Sequence, residues 1–332
     1  MRLFEHDRFA DLLRDAGRHF AEVLLREIPP GIATANEVAR FVEKDYYLTE
    51  MLRVLQFAEG DAVILKGGTS LMKGWGLISR FSEDVDLFID PAAFQPPLGG
   101  KAMRTKLRSV FDLVSSKLPL ERRTSPAYAK RGVARKEYMR YRSAIAGIRS
   151  LEPEVCLAAG IGSGREPIAR VPIRSLLAEY IDEARLEIGS PDCDTFVMQL
   201  LHYRRTFVEK LFAIHAAVEE RRYPGEPIGP LARHYFDLVL LADQPEVEEM
   251  LRGPEYHAIV RDCLDIDHRY YGRPKHDESA WSFRESAALF PSEELSESLR
   301  RDYESQCAVL CFGAYPPWKG VLARFESLRQ WL

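Results

Sequence analysis

Residues 65–90 read LKGGTSLMKGWGLISRFSEDVDLFID, and this span limits the fold more than any other part of the chain. Val63, Ile64 and Leu65 form a short apolar run ended by two glycines, the pattern of a strand that runs straight into a turn. Thr69 and Ser70 can cap the next element, and Leu71, Met72 and Leu77 suit a helix there. Val85, Leu87 and Ile89 then alternate with Asp84, Asp86 and Phe88, the period of a strand. A strand, a glycine turn, a helix and a second strand within so few residues require a sheet with helices packed on it.

The same span carries chemistry. Asp84 and Asp86 are two apart on a strand, so both carboxylates leave the same face, roughly 6 to 7 Å apart. Hard oxygen ligands select Mg²⁺ or Mn²⁺, and Mg²⁺ reaches proteins through one or two carboxylates completed by substrate phosphates. Gly67 and Gly68 let backbone approach a ligand closely, while Thr69 and Ser70 begin a helix whose free N–H groups favour anions. A glycine pair alone reads as a tight turn, and two surface carboxylates alone read as solvation. Side by side they suggest a phosphate cradle facing a metal clamp, a site for a metal–nucleotide. Lys66 and Lys73 flank the turn and are either screens for phosphate charge or plain surface lysines.

The rest of the chain sets the frame. From about Phe4 to Phe57 apolar residues recur at helical spacing, broken by Pro29, Pro30 and Gly31. Glu43, Lys44 and Asp45 read as a charged cluster on a helix surface. A helix is expected over Lys101–Lys117 and a strand around Val155 and Leu157. From about Ile173 the pattern is helical almost to the end, with Leu200, Leu201, Val208, Leu211, Phe212 and Ile214 on one helix and Leu231, Phe236, Leu238, Leu240 and Leu241 on another. The expected fold class is α+β, in three parts: an N-terminal helical segment (1–57), a sheet-containing core (58–175) and a helical C-terminal domain (176–332) that completes the active-site cleft.

At 46% hydrophobic and 29% charged residues, the composition is that of a folded soluble chain. No apolar stretch approaches the roughly 18 residues of a membrane span, and the polar start MRLFEHD shows no export signal, so a cytoplasmic protein without membrane partners is expected. Five scattered cysteines without a CxxC pair read as reduced thiols, with Cys307 and Cys311 on one helix face of the core. The net charge of −4 conceals a basic segment between Glu121 and Ser150 that holds Arg122, Arg123, Lys130, Arg131, Arg135, Lys136, Arg140, Arg142 and Arg149, with Tyr128, Tyr138 and Tyr141 among them. Such a mixture suits a surface that meets RNA phosphates and stacks on bases, or a merely solvated basic face.

KGGTSLMKGWGLISRFSEDVDLFI resembles the signature of the AbiEii family of nucleotidyltransferase toxins, whose members share the DNA polymerase β-like fold. VEKDYYLTEML (42–52), RTFVEKLFAIH (205–215), RHYFDLVLL (233–241) and LRRDYESQ (299–306) resemble further blocks in the same order. The resemblance implies a polymerase β-like nucleotidyltransferase core with a mixed β-sheet, N-terminal helices and a helical C-terminal half. It carries the glycine-hydroxyl motif onto Gly67, Gly68, Thr69 and Ser70, and the serine-acidic strand onto Ser82, Asp84 and Asp86. Its lysine and aspartate motifs fall on Lys210 and Asp237, where a solvated helix lysine and a pairing of Asp237 with Arg233 are the plain alternatives. One departure stands out: where many relatives carry a third acid, EVCLAAG places Ala158 and Ala159, with Glu152 and Glu154 the nearest acids. The ion then rests on two aspartates plus nucleotide phosphates, or on Glu154 as well.

The implied activity is Mg²⁺- or Mn²⁺-dependent transfer of NMP from an NTP to RNA, at the tRNA 3′ end, by a toxin with a separate antitoxin protein. Arg131, Arg135, Lys136 and Arg140 are the expected RNA contacts. The alternatives are nucleotidylation or phosphorylation of a protein, and a catalytically silent nucleotide- or RNA-binding module.

Overall fold

A computed structural model describes residues 1–24, 34–82, 84–130, 132–146, 152–223, 226–273 and 281–332. Pro29, Pro30 and Gly31, read above as a helix break, lie outside the described residues. Helices Phe9–Leu24 and Ala35–Glu59 stand on either side of them.

The chain forms two compact units. The first comprises 1–74, 83–161 and 169–200, so the N-terminal helices belong with the sheet. That sheet has seven strands: β1 (Val63–Lys66), β2 (Asp84–Ile89), β3 (Leu120–Lys130), β4 (Ala134–Tyr141), β5 (Glu154–Gly160), β6 (Ile168–Ile173) and β7 (Phe196–Leu201), ordered β3-β4-β5-β2-β1-β7-β6. It is mixed, as expected. β1 runs antiparallel to β2 and parallel to β7, β2 runs parallel to β5, and β4 is antiparallel to both β3 and β5.

The pleat gives this sheet two chemically distinct faces. Val63, Leu65, Val85, Leu87, Ile89, Met139, Val155 and Leu157 share one face and are buried. Helices Ala35–Glu59 and Gly100–Lys117 pack with β5 in this unit, the second of them nearly as expected. The opposite face carries Asp84 and Asp86. β7 corrects the expectation of continuous helix after Ile173. Leu200 and Leu201 end β7, and the helix begins only at Tyr203. Phe-Val-Met-Gln-Leu-Leu is a short apolar run that periodicity cannot assign, and its ladder to β1 makes it a strand.

Helix Ala35–Glu59 overturns a second expectation. Every residue from Val38 to Leu55 is buried, so Glu43, Lys44 and Asp45 lie inside and not on a surface. Buried charges must be paired or hydrogen-bonded. Glu43 accepts from the Ser143 hydroxyl at 2.5 Å and the Ala144 N–H at 2.6 Å. Asp45 accepts from the Leu176 N–H at 2.7 Å, and Glu50 pairs with Arg53 and Arg2, each at 2.9 Å.

The second unit comprises 75–82, 162–168 and 201–332. Its helices include Tyr203–Glu219, Arg233–Ala242, Pro245–Arg252, Pro254–Ile266, Glu293–Leu310 and Trp318–Leu328. Leu231 sits in the turn Gly229–Ala232 before the helix to which it was assigned. Cys307 is buried in this unit, while Cys311 lies just past the helix end and is partly exposed. No described helix is long and apolar enough to cross a membrane.

Gly17 marks a close crossing of helices Phe9–Leu24 and Ala35–Glu59. A Cβ there would stand 2.6 Å from Ala39 Cβ and 2.7 Å from the Ala35 carbonyl. Alanine normally gains about 1 kcal/mol over glycine within a helix. For Gly17→Ala we expect the opposite sign, a loss of about 1–3 kcal/mol from overpacking. Urea denaturation measures it, and a more stable variant would show that the crossing is not tight.

Candidate active site

The site begins with the pleat of β2. Asp84 and Asp86 are half-buried on one face of the sheet, while Val85 and Leu87 point the other way into the core. In register, Lys66 of β1 pairs with Asp86, Cys156 of β5 faces Asp84, and Ala158 faces Asp86. The turn after β1 closes onto this face. Gly67 has φ +72°, and a Cβ there would stand 2.8 Å from Asp86 Oδ2, so both conformation and space demand glycine.

The hydroxyls of the turn fasten backbone. Thr69 Oγ1 donates to the Asp84 carbonyl and Ser70 Oγ to the Gly67 carbonyl at 2.8 Å, and both residues are buried. The first holds the turn against the carboxylate strand, and the second braces the turn internally. The backbone is helical at Gly67–Thr69 and widens to a π turn over Ser70–Gly74. Ser82 is buried.

Lys73 is corrected as a nucleotide contact. Its side chain is only 3% exposed, lies 2.7 Å from Asp45 Oδ1 and donates to the Arg174 carbonyl at 2.8 Å. The ammonium neutralises the buried Asp45, an ion pair by distance although that oxygen has no aligned hydrogen bond.

The donors fit a hard divalent ion: two oxygens on one face beside a backbone turn kept open by the missing Cβ of Gly67. The third acid is not at hand. Glu154 lies one pleat before Cys156 on the same face, and it pairs with Arg123 at 2.8 Å. Among the described residues, no group of three His, Cys, Asp or Glu is placed to hold a metal ion.

The basic segment forms the β3–β4 hairpin, and the alternation of β4 divides the expected RNA contacts. Arg135 shares the inner face with the fully buried Glu137, to which it and Arg122 are paired. Lys136 and Arg140 take the other face, and Arg140 is exposed. Arg131 and Arg149 lie outside the described residues. These four residues therefore do not form one patch. Lys136 instead belongs with the carboxylates: its ammonium donates to the Cys156 thiol and lies in the field of Asp84. Burial opposes that charge, but Asp84 and the thiol outweigh it and hold the lysine pKa above its ordinary value. Burial and Asp84 push the Cys156 thiol up to about 12.

Lys210 and Asp237 meet within the second unit, together with Arg80, which carries no signal of its role in the sequence. Arg80 clamps Asp237 through Nε to Oδ1 at 2.6 Å and NH2 to Oδ2 at 2.7 Å. Lys210 Nζ stands 2.8 Å from Asp237 Oδ2 and 3.0 Å from His234 Nδ1. The aspartate thus pairs with both Arg80 and Lys210. All three charged groups are almost wholly buried. Burial works against ionised Asp237, but Arg80 and Lys210 overcome it and hold its pKa far below the carboxylate range. Burial lowers the Lys210 pKa, with Asp237 opposing and Arg80 assisting. Burial and Lys210 drive His234 down to about 3, so its ring is neutral.

Residues 51–317 match the family described as nucleotidyl transferase AbiEii toxin, type IV toxin–antitoxin system. Among solved structures the chain is similar to MenT4, a nucleotidyltransferase toxin from Mycobacterium tuberculosis H37Rv, at 17% identity and a TM-score of 0.46, covering 95% of this chain and 98% of that one. No curated protein matches the sequence.

Two variants separate positioning from stability. Gly67→Ala should leave most of the fold intact yet abolish activity, because the new methyl group takes the space of Asp86 Oδ2. Normal turnover with an unchanged melting temperature would remove this turn from the site. Asp237→Asn leaves Arg80 and Lys210 buried without their counter-charge, and a loss of about 3–5 kcal/mol is expected. A carboxylate whose pKa is depressed by folding stabilises above its unfolded value of about 3.9 and ceases to as pH falls through the folded value. The wild-type advantage over Asp237→Asn should therefore be full at neutral pH and shrink below about pH 4. An advantage that did not change on acidification would mean that the Asp237 charge is not what the ion pairs hold.

Proposed function

The chain belongs to the AbiEii family of nucleotidyltransferase toxins, and on that premise we propose that it transfers NMP from an NTP to an RNA acceptor, the tRNA 3′ end, so as to block translation. The observation that carries this reading is the pair Asp84 and Asp86 on one face of β2, with Gly67 opening backbone directly against Asp86. In the reaction, an acceptor hydroxyl oxygen forms a bond to the α-phosphorus. The bond to the bridging oxygen breaks, pyrophosphate leaves and the hydroxyl proton passes to solvent.

Asp84 and Asp86 would hold Mg²⁺ or Mn²⁺, which when bound supplies charge neutralisation and polarisation at the phosphates. The residues of the chain itself do the positioning. Gly67 and Gly68 bring backbone N–H groups to the triphosphate, Thr69 locks that backbone to β2 while Ser70 braces the turn, and Lys66 stands beside Asp86 as a cation for phosphate. Lys210 and Asp237, at the lysine and aspartate positions of the family, pair with each other inside the second unit. Ser82 remains part of the serine-acidic motif. Arg140 and Arg142, both exposed, serve the RNA. A cognate antitoxin protein is the expected partner, and the cytoplasm the expected location.

The decisive measurement is incubation with Mg²⁺, total RNA and each NTP labelled at the α- or γ-position. Label from the α-position should reach RNA, and Asp84→Ala or Asp86→Ala should lose this activity while keeping the wild-type melting temperature. Label arriving on protein, or near-normal turnover in either variant at saturating Mg²⁺, would overturn the reading.

A further inference from the structure

Lys136 was read as an outward contact for RNA, but strand register places it elsewhere. β4 pairs antiparallel with β5, setting Lys136 opposite Ala158 and Tyr138 opposite Cys156. β5 pairs parallel with β2, setting Ala158 opposite Asp86 and Cys156 opposite Asp84. Facing residues share a side of the sheet, so Lys136, Ala158 and Asp86 form one row, and Tyr138, Cys156 and Asp84 the next. The lysine is thus two strands from the carboxylates, about 10 Å in backbone. Its long stem covers most of that span. Ala158 adds little bulk along its row, and the ammonium comes to rest on the Cys156 thiol, in the field of Asp84. The Tyr138 ring lies 5.8 Å from the same nitrogen.

Two neighbouring carboxylates would ordinarily be served by a metal alone. Here a fixed cation sits on the same face, on a rigid strand, with a thiol as its anchor. A thiol hydrogen bond is weak. The ammonium is therefore oriented without being consumed, in contrast to Lys73, which is bound up with Asp45 in the interior.

We propose that Lys136 is a catalytic residue of the Asp84–Asp86 site: it binds the NTP phosphates directly and supplies positive charge that one divalent ion held by two carboxylates leaves unbalanced. The proposal rests on the reading of Asp84 and Asp86 as the metal–nucleotide site. It gives Lys136 to the nucleotide and takes it from the RNA surface. Lys136 also opposes a bare metal ion electrostatically, so its removal should act in opposite directions on the two ligands, which a purely structural lysine would not do.

The test uses Lys136→Met, which keeps the stem, and Lys136→Arg, which keeps the charge, with melting temperatures to show that both fold. Calorimetry measures Mn²⁺ alone, then Mn²⁺ with a non-hydrolysable NTP analogue. Removing one charge at this distance should tighten Mn²⁺ alone and weaken the analogue, each by about tenfold. Lys136→Arg should recover part of the analogue binding, and RNA binding should keep its wild-type salt dependence in both variants. Unchanged analogue affinity in Lys136→Met overturns the proposal, most directly if the RNA salt slope falls instead. Asp84→Ala serves as the control for the premise. If it binds Mn²⁺ and analogue as wild type does, the site reading itself fails and Lys136 falls with it. If Asp84→Ala loses both while Lys136→Met loses neither, only the proposal for Lys136 fails.

Discussion

The close approach of the Gly67 backbone to the Asp86 carboxylate is the constraint on which the site depends. That contact fixes how β1 leaves the sheet, since a Cβ at Gly67 would stand 2.8 Å from the carboxylate oxygen. It also explains the hydroxyls beside it. With the turn pressed against β2, Thr69 reaches the Asp84 carbonyl and stitches the turn to the strand that bears the carboxylates, while Ser70 closes the turn on itself through the Gly67 carbonyl. β1 and β2 are interior strands of a seven-stranded sheet, so this stitching is anchored on both sides. A flexible turn of the same composition would spend ordering free energy each time a ligand arrived.

The inner side of that sheet is costly to build. Helix Ala35–Glu59 is enclosed over its whole middle and carries Arg40, Glu43, Lys44, Asp45, Glu50 and Arg53 into the interior. Replacing buried ion pairs by apolar side chains is often neutral or stabilising, so these charges are weak evidence for stability and better evidence for a specified arrangement. Asp45 joins the Leu176 N–H to Lys73, which sits just after the glycine turn, and thereby ties the helix to the segment that shapes the site. The Arg80–Asp237–Lys210 cluster is built on the same logic in the second unit. One aspartate takes two cations, and its charge survives burial only because both are present.

Short-range periodicity made part of this legible in the sequence. The alternation of residues 84–89 gave β2 and the shared face of its carboxylates, and the glycine pair gave the turn. β7 was not legible, because six apolar and amide residues in a row carry neither period until a partner strand is known. The burial of Glu43–Asp45 was hidden for a different reason. A helix covered on every side has no polar face to distinguish it, and charge in a sequence does not announce whether a partner waits inside. Arg80 had no local signal at all, since its role comes from Asp237, far away in sequence, whereas His234 lies one helical turn before Asp237, a spacing that was there to be read. Lys136 illustrates the remaining difficulty. Composition counted it with eight other cations, whereas the pleat sends it and Arg135 to opposite faces, and only the register of two ladders shows which face is which.

The arrangement of charge on the carboxylate face has a consequence for the order of binding. Two carboxylates with no third acid at hand among the described residues offer a divalent ion few protein ligands, and Lys66 and Lys136 on the same face further oppose a bare ion. The same cations favour an anion. On the proposed function, nucleotide phosphates would supply the oxygens the ion lacks and add negative charge to a face that carries two lysines, so ion and nucleotide would each improve the other's binding, a coupling that must be reciprocal. On that function, the site would thereby favour the metal–nucleotide complex over either component alone, a selectivity that arises from counting charges on one face of a sheet and needs no moving part.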